Sequence, residues 1–351
     1  MASGREWRGG QRQTWLLARG LASRGIAQCL LTKAGSDLAR RAHEGGIAVV
    51  PARWSAGLDP RALATLVRAA RHADLLHAHD SHAVSLTAAA AALTGRPFVA
   101  TRRMTRPVRR VGPWHRAAGI IAISGAVREG LVTSGIPATS ISLVHPGIDV
   151  AATRNTRPIS WQSIAPIPEG AFVVLAVSAL TEEKGLDLLV DAMGDPEVGA
   201  TGAFCVIAGQ GPEREALESR ASAHRPSGRV QLLGQVTDPL PLVAAAGLLV
   251  MPSREEAFGS TILDALALGV PVVGAAVGGI PEALGHGGGV TFPAGDRNAL
   301  AGEIVRVARD PELRAKLARD GRQAAGHFDL PGMVDQTLGV YRSVMERVER
   351  Q

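Results

Sequence analysis

Short apolar, β-branched runs alternate along the chain with longer stretches in which apolar residues recur every three or four positions. The runs fall at Ile47–Pro51, Ala73–His77, Pro97–Ala100, Gly119–Ile123 and Ser140–Val144, and a second series follows at Phe172–Val177, Phe204–Ala208, Val230–Leu233, Gly247–Val250 and Pro271–Gly274. Runs that are apolar throughout predict strands buried on both faces, hence parallel sheets covered by helices. Between the two series, Thr153–Gly170 carries three prolines and no periodic run, as an interdomain linker does. At roughly 100–200 residues per domain, 351 residues hold two. The expected class is therefore α/β, with two doubly wound (Rossmann-like) parallel-sheet domains at 1–158 and 166–330. Asn298–Gly326 reads as helices, and 331–351 as one more amphipathic helix opening with Pro331-Gly332.

The beginning breaks the rhythm. Trp7-Arg-Gly-Gly10 leads into Trp15, Leu16, Ala18 and Leu21 at helical spacing. A glycine turn that opens a helix in a doubly wound domain follows a strand, yet the six residues before Trp7 contain no apolar run. The first strand of the N-terminal sheet is expected to be missing, and the natural chain to start upstream of Met1 or to have been shortened.

Composition narrows the function classes. With 46% hydrophobic and 20% charged residues the chain is not mainly disordered. No apolar stretch approaches the ~18 residues of a membrane span, and the start has no signal-peptide core. Cys29 and Cys205 fit no metal spacing, and the expected setting is a reducing cytoplasm. Residues 1–130 hold 20 Lys and Arg against 7 Asp and Glu, the remainder 18 against 25, so +13 and −7 make up the net +6. A basic first half suits an anionic partner, though a solvated basic surface gives the same count. Nucleic acid is not expected, because Tyr and Phe total seven and none interleaves with the arginines.

The strongest local pattern is Pro252-Ser-Arg-Glu-Glu-Ala-Phe-Gly259, a helical stretch, then Gly269-Val-Pro-Val-Val-Gly274. Glu256 stands at the start of the helical stretch and Asp264 eight residues on, a little over two turns, near the same face. Two carboxylates so placed can accept hydrogen bonds from a polyol. Capping by Glu255 and Glu256, with Asp264 merely solvated, explains the same spacing.

This segment resembles the glutamate-x7-glutamate signature of family-4 glycosyltransferases, which have the GT-B architecture of two facing doubly wound domains. The resemblance implies that Glu256 contacts the donor sugar and that Asp264 takes the ribose hydroxyls. Asp264 stands where the family has Glu, one methylene shorter. Phe258 and Gly259 of the signature are donor-binding by the same resemblance. Ser178-Ala-Leu-Thr-Glu-Glu-Lys-Gly185 is similar to the family's Gly-Arg-Leu-x-x-x-Lys-Gly, so Lys184 is implied to neutralise the donor diphosphate. Ala179 replaces the family's arginine, with Arg254 or Arg103 as stand-ins. Ala208-Gly-Gln-Gly-Pro-Glu213 resembles the donor loop through Gly209 and Gly211, and Val236 falls in the turn of the base pocket. Gly278-Gly-Ile-Pro-Glu282 and Phe292-Pro-Ala-Gly-Asp296 match later elements.

In the first half, Gly9-Gly10 resembles the loop whose N–H groups approach the donor diphosphate. Leu76-His-Ala-His-Asp80 resembles the family's strand-end His-x-His, with His79 placed to contact the transferring sugar and His77 read as a core residue. Arg102 and Arg103 follow the next strand and suit an anionic acceptor. The resemblance to bacterial lipopolysaccharide and envelope-glycan enzymes implies a glycan or lipid-linked acceptor and a cytoplasmic protein, peripheral on an anionic inner membrane face. Catalytic roles fall to Glu256, Lys184 and His79. The co-substrate is a nucleotide diphosphate sugar, its hexose-type sugar is transferred with retention, and no cofactor or metal is expected, since no Asp-x-Asp pair occurs. A GT-B sugar-nucleotide epimerase and a non-catalytic sugar-nucleotide-binding relative stay open as alternatives. A nicotinamide dehydrogenase is disfavoured by the lack of a Gly-x-Gly-x-x-Gly after a first strand.

Overall fold

The computed structural model describes residues 1–4, 6–54, 59–223 and 229–350. The chain divides into two compact units: Met1–Gly147 with Asp329–Gln351, and Ile148–Phe328.

In the first unit, β1 (Cys29–Lys33) pairs in parallel with β2 (Ala48–Ala52). A four-stranded parallel sheet runs β3 (Leu76–Ala78), β4 (Phe98–Arg102), β5 (Gly119–Ala122) and β6 (Ile141–Leu143). The place of a first strand is held by two residues. Ala2 bridges Thr32 in parallel, and its N–H donates to Leu31 O at 3.0 Å. On the other side Met1 donates to His77 O at 2.5 Å and accepts from His79 N at 2.9 Å. The inner edges of β1 and β3 would otherwise carry unpaired backbone groups. The first strand, expected to be missing, is represented by two paired residues of extended chain in its position. β1, Cys29-Leu-Leu-Thr-Lys33, is a strand that the apolar runs did not single out.

α1 (Gly9–Ser23) and the C-terminal helix Leu330–Glu349 cover this sheet. Leu16, Leu17 and Leu21 of α1 meet Val334, Val340 and Val344 over Val99 and Ile121 in one apolar cluster. The two helices approach so closely that a Cβ on Gly20 would sit 2.3 Å from Val334 Cγ2.

The second unit is built on a six-stranded parallel sheet, ordered β12-β11-β10-β7-β8-β9. Its strands are β7 (Val173–Val177), β8 (Phe204–Ala208), β9 (Val230–Gly234), β10 (Leu248–Met251), β11 (Val272–Ala275) and β12 (Gly289–Phe292). Almost every residue of the four inner strands, β7, β8, β10 and β11, is buried, as runs without polar alternation require, while the edge strands β9 and β12 are mostly half-buried. The chain winds outward from β7 through β8 to β9, then returns to the centre and winds the other way from β10. β7 and β10 therefore lie side by side at the point where the winding reverses. Loops diverge there beyond the carboxyl ends of the strands, the usual ligand crevice of an open α/β sheet. The proline-bearing segment forms no strand and packs onto this unit: Trp161 is buried and its Nε1 donates to Ala245 O at 2.9 Å.

Candidate active site

Two loops leave the sheet at the winding reversal of the second unit. The β7 loop runs from Ser178 into a short turn, Glu182–Lys184, closed by Gly185 at φ +61°. The β10 loop runs from Pro252 to Gly259, which opens the helix Ser260–Leu268. They touch along their backbones. Arg254 N donates to Glu183 O at 2.8 Å, and a Cβ on Gly185 would lie 2.1 Å from Pro252 O, so only glycine fits.

This brings Lys184 and Glu256 together although 71 residues separate them in sequence. Lys184 Nζ donates to Glu256 Oε2 at 2.7 Å, with the side chains 23% and 15% exposed. Glu256 Oε1 accepts from Ala257 N at 3.0 Å. A third loop, after β11, fixes the glutamate from behind. Gly279 N donates to Glu256 O at 3.2 Å, and a Cβ on Gly278 would fall 1.7 Å from that oxygen. The arrangement offers a cation and a carboxylate side by side, half-buried and held by backbone from three strands.

The Gly209 and Gly211 loop is stitched to the β7 loop. Leu180 N donates to Gln210 O at 3.0 Å, and Cβ atoms on Gly209 and Gly211 would lie 1.8 and 2.2 Å from Ser178 O and Leu180 O. Close backbone approach thus accounts for both glycines. Val236 is half-buried in the turn after β9. Arg254, a stand-in for the arginine lost at Ala179, has a different partner: both its terminal nitrogens donate to the Asp187 carboxylate at 2.7 Å. That fork holds Asp187 below the usual carboxylate range. Phe258 is buried, its ring 5.6 Å from that of Phe328 in an edge-on contact. Gly259 has φ +83° and caps the helix under Met251. Asp264 is 1% exposed on that helix, so it is not the solvated carboxylate that spacing left open. Among the described residues no group of three His, Cys, Asp or Glu is arranged to hold a metal.

In the first unit, His79 follows β3, is 9% exposed, and lies 4.0 Å from the His77 ring. His77 is occupied at both nitrogens: Nδ1 with Tyr341 Oη at 2.6 Å and Nε2 with Thr101 Oγ1 at 2.7 Å. Burial holds both histidines well below their ordinary range. Tyr341 escaped the sequence reading. As the single tyrosine, on a helix otherwise read as amphipathic, it offered only its rarity as a signal. The adjacent arginines separate. Arg102 is buried and turned inward, donating to Met104 O at 3.1 Å, to Ser81 Oγ at 2.6 Å and to Arg106 O. Those bonds tie it to its own loop and to the start of the helix Ser81–Thr94. Arg103 runs beside Gly10, whose Cβ position is 3.6 Å from Arg103 Cδ. Gly9 and Gly10 form the first turn of α1, which has no side-chain cap.

The family described as Glycosyltransferase Family 4 matches residues 7–152, and Glycosyl transferases group 1 matches residues 160–324. A D-inositol 3-phosphate glycosyltransferase from Saccharomonospora viridis is 31% identical over 222 residues, 59% of this chain and 51% of that protein. The lipopolysaccharide core biosynthesis glycosyltransferase LpsE of Rhizobium meliloti is 31% identical over 178 residues, 50% of this chain and 51% of that protein. These matches span about half of each relative's length. Among solved structures, Anabaena Alr3699/HepE in complex with UDP-glucose superposes with a TM-score of 0.84 at 22% identity, covering 97% of this chain and 98% of that one. Parallel sheets in two Rossmann-like units, a GT-B likeness along almost the whole chain and the two family matches point the same way. The chain belongs to the GT-B glycosyltransferases, with Glycosyltransferase Family 4 in its first part and Glycosyl transferases group 1 in its second.

Proposed function

We propose that this protein is a retaining, metal-independent glycosyltransferase that moves a hexose-type sugar from a nucleoside diphosphate donor to a hydroxyl of a glycan or lipid-linked acceptor. The observation that carries this reading is the 2.7 Å contact of Lys184 with Glu256 at the carboxyl ends of β7 and β10. In such a transfer the bond from the anomeric carbon to the diphosphate breaks, and negative charge develops on the leaving phosphate. A fixed ammonium in a partly dry loop stabilises that charge more than it stabilises the ground state. Glu256, its backbone pinned by Gly279, accepts hydrogen bonds from the sugar and orients it. It does not attack: the acceptor hydroxyl enters on the face the diphosphate leaves, which retains configuration. Asp264 takes the ribose, and His79 in the first unit meets the transferring sugar.

Envelope-glycan synthesis on the inner membrane face is the setting this reading gives the reaction. The match to LpsE and the +13 balance of residues 1–130 support it. The test is a thermal-shift panel of nucleotide sugars, since stabilisation grows with ligand excess over its dissociation constant. The best donor is then assayed with and without a saccharide acceptor. Transfer with retained anomeric configuration is expected. Turnover of donor without acceptor would favour the epimerase reading, and tight binding with no turnover a non-catalytic relative.

A further inference from the structure

The His79 ring is nine-tenths buried, yet its Nδ1 is sealed from solvent without a hydrogen-bond partner among the described residues. No bond at that nitrogen fixes the plane of the ring. The ring packs instead on that of His77, with centroids 4.0 Å and planes 33° apart. His77 is the anchored member of the pair. Strands β3 and β4 run in parallel with His77 opposite Val99, so Thr101, two residues on, and His79 fall on the same face of the sheet. From that face Thr101 Oγ1 meets His77 Nε2 at 2.7 Å, and from the C-terminal helix Tyr341 Oη meets Nδ1 at 2.6 Å. The Tyr341 ring also meets the imidazole edge-on, at 5.5 Å and 90°.

Two hydroxyls, each able to donate or accept, satisfy either tautomer of a neutral imidazole, and burial keeps His77 neutral. Burial also pushes the Tyr341 hydroxyl up, so it keeps its proton. Turning the His77 ring out of its plane breaks both bonds at once and leaves buried polar groups unpaired, which the fold resists. The helix behind Tyr341 is held in turn by Val340 and Val344, packed over Val99 and Ile121. Phenylalanine would fill the same space, so packing explains the ring of Tyr341 but not its hydroxyl. We propose that Tyr341 and Thr101 are positioning residues for the transfer: they clamp His77, and the clamped His77 ring sets the plane in which His79 meets the transferring sugar. This deepens the function proposed above and rests on it only for what His79 does to the substrate.

The test joins rate measurements to NMR of the full chain labelled at histidine Cε1. Tyr341→Phe keeps the aromatic ring and removes only Oη, and Thr101→Val removes only Oγ1 at nearly constant volume. Each is expected to lower kcat about tenfold through a misplaced ring, with the donor KM changed by less than about twofold. Thr101→Ser keeps a hydroxyl and should recover most of the rate lost in T101V. In a His79→Ala background Y341F should lower the rate no further, because residues that act as a unit are not additive. A tyrosine that serves only the helix packing lowers the rate by the same factor in both backgrounds. The His79 signal, assigned by its loss in H79A, should broaden or split in Y341F and T101V and stay single in T101S. An unchanged His79 signal in both Y341F and T101V, or an equal rate loss with and without His79, overturns the proposal. If Y341F does not fold, as circular dichroism shows, T101V carries both measurements. Wild-type turnover by H79A would instead overturn the sugar contact read for His79; the NMR needs no turnover and still decides whether the clamp sets that ring.

Discussion

At the scale of residues, Lys184 and Glu256 stand 2.7 Å apart, so each holds the other in place. Lys184→Ala and Glu256→Ala are each expected to lower the transfer rate by ~100-fold or more, the scale of losing one preorganised charge group. Because the two touch, the double variant should lose much less than the product of the single losses. Rates of the four proteins under one donor and acceptor check this, and wild-type turnover of either single variant would sink the assignment. The buried histidines make a separate prediction about pH. Both are held neutral when folded, whereas an unfolded histidine titrates near ~6.5. Below that pH the unfolded chain binds more protons, so stability present above it is lost as pH falls, by at most about 1.4 kcal/mol per pH unit for each histidine. Urea unfolding at pH 7.5 and 5.0 should show the loss, with a smaller one in His79→Gln. Equal losses in the two proteins would contradict it.

At the scale of elements, the site depends on glycines at which loops from different strands touch. Gly278 is the sharpest case, with φ +55° and its Cβ position 1.7 Å from Glu256 O. Gly278→Ala must push the β11 loop off the β10 loop. It should cost about 1–3 kcal/mol in stability by overpacking and lower transfer further by displacing Glu256. Chemical denaturation and rate measurement on the same sample check both; an alanine variant with unchanged rate would show that the glutamate is held some other way. These loops also separate what the sequence displayed from what it hid. The Gly-x-Gly pair and Lys-Gly185 were legible as motifs. That Gly209 and Gly185 are required by carbonyls of neighbouring loops was not, because partners such as Ser178 and Pro252 lie 31 and 67 residues away.

At the scale of the whole molecule, no described helix is long and apolar enough to cross a membrane. The membrane contact proposed above is one of surface charge. Sedimentation with vesicles of anionic lipid, but not of neutral lipid, is expected at low salt. It should weaken as salt shortens the screening length to ~8 Å at physiological ionic strength. Equal recovery with both vesicle types would remove membrane binding from the proposal.

Periodicity alone determined the fold class and most of the strands, because a strand buried on both faces must be apolar at every position whatever its neighbours are. The family motifs likewise marked Glu256 and Lys184 in one dimension. Tertiary structure alone decided which candidates share a contact. It paired Lys184 with Glu256, gave Arg254 to Asp187, turned Phe258 and Arg102 inward, and left Arg103 Nε without a hydrogen-bond partner among the described residues. The physical reason is that side-chain type and spacing record what a residue can do locally. Its partners depend on strand order and loop packing, which join residues far apart in the chain and leave no periodic trace in it.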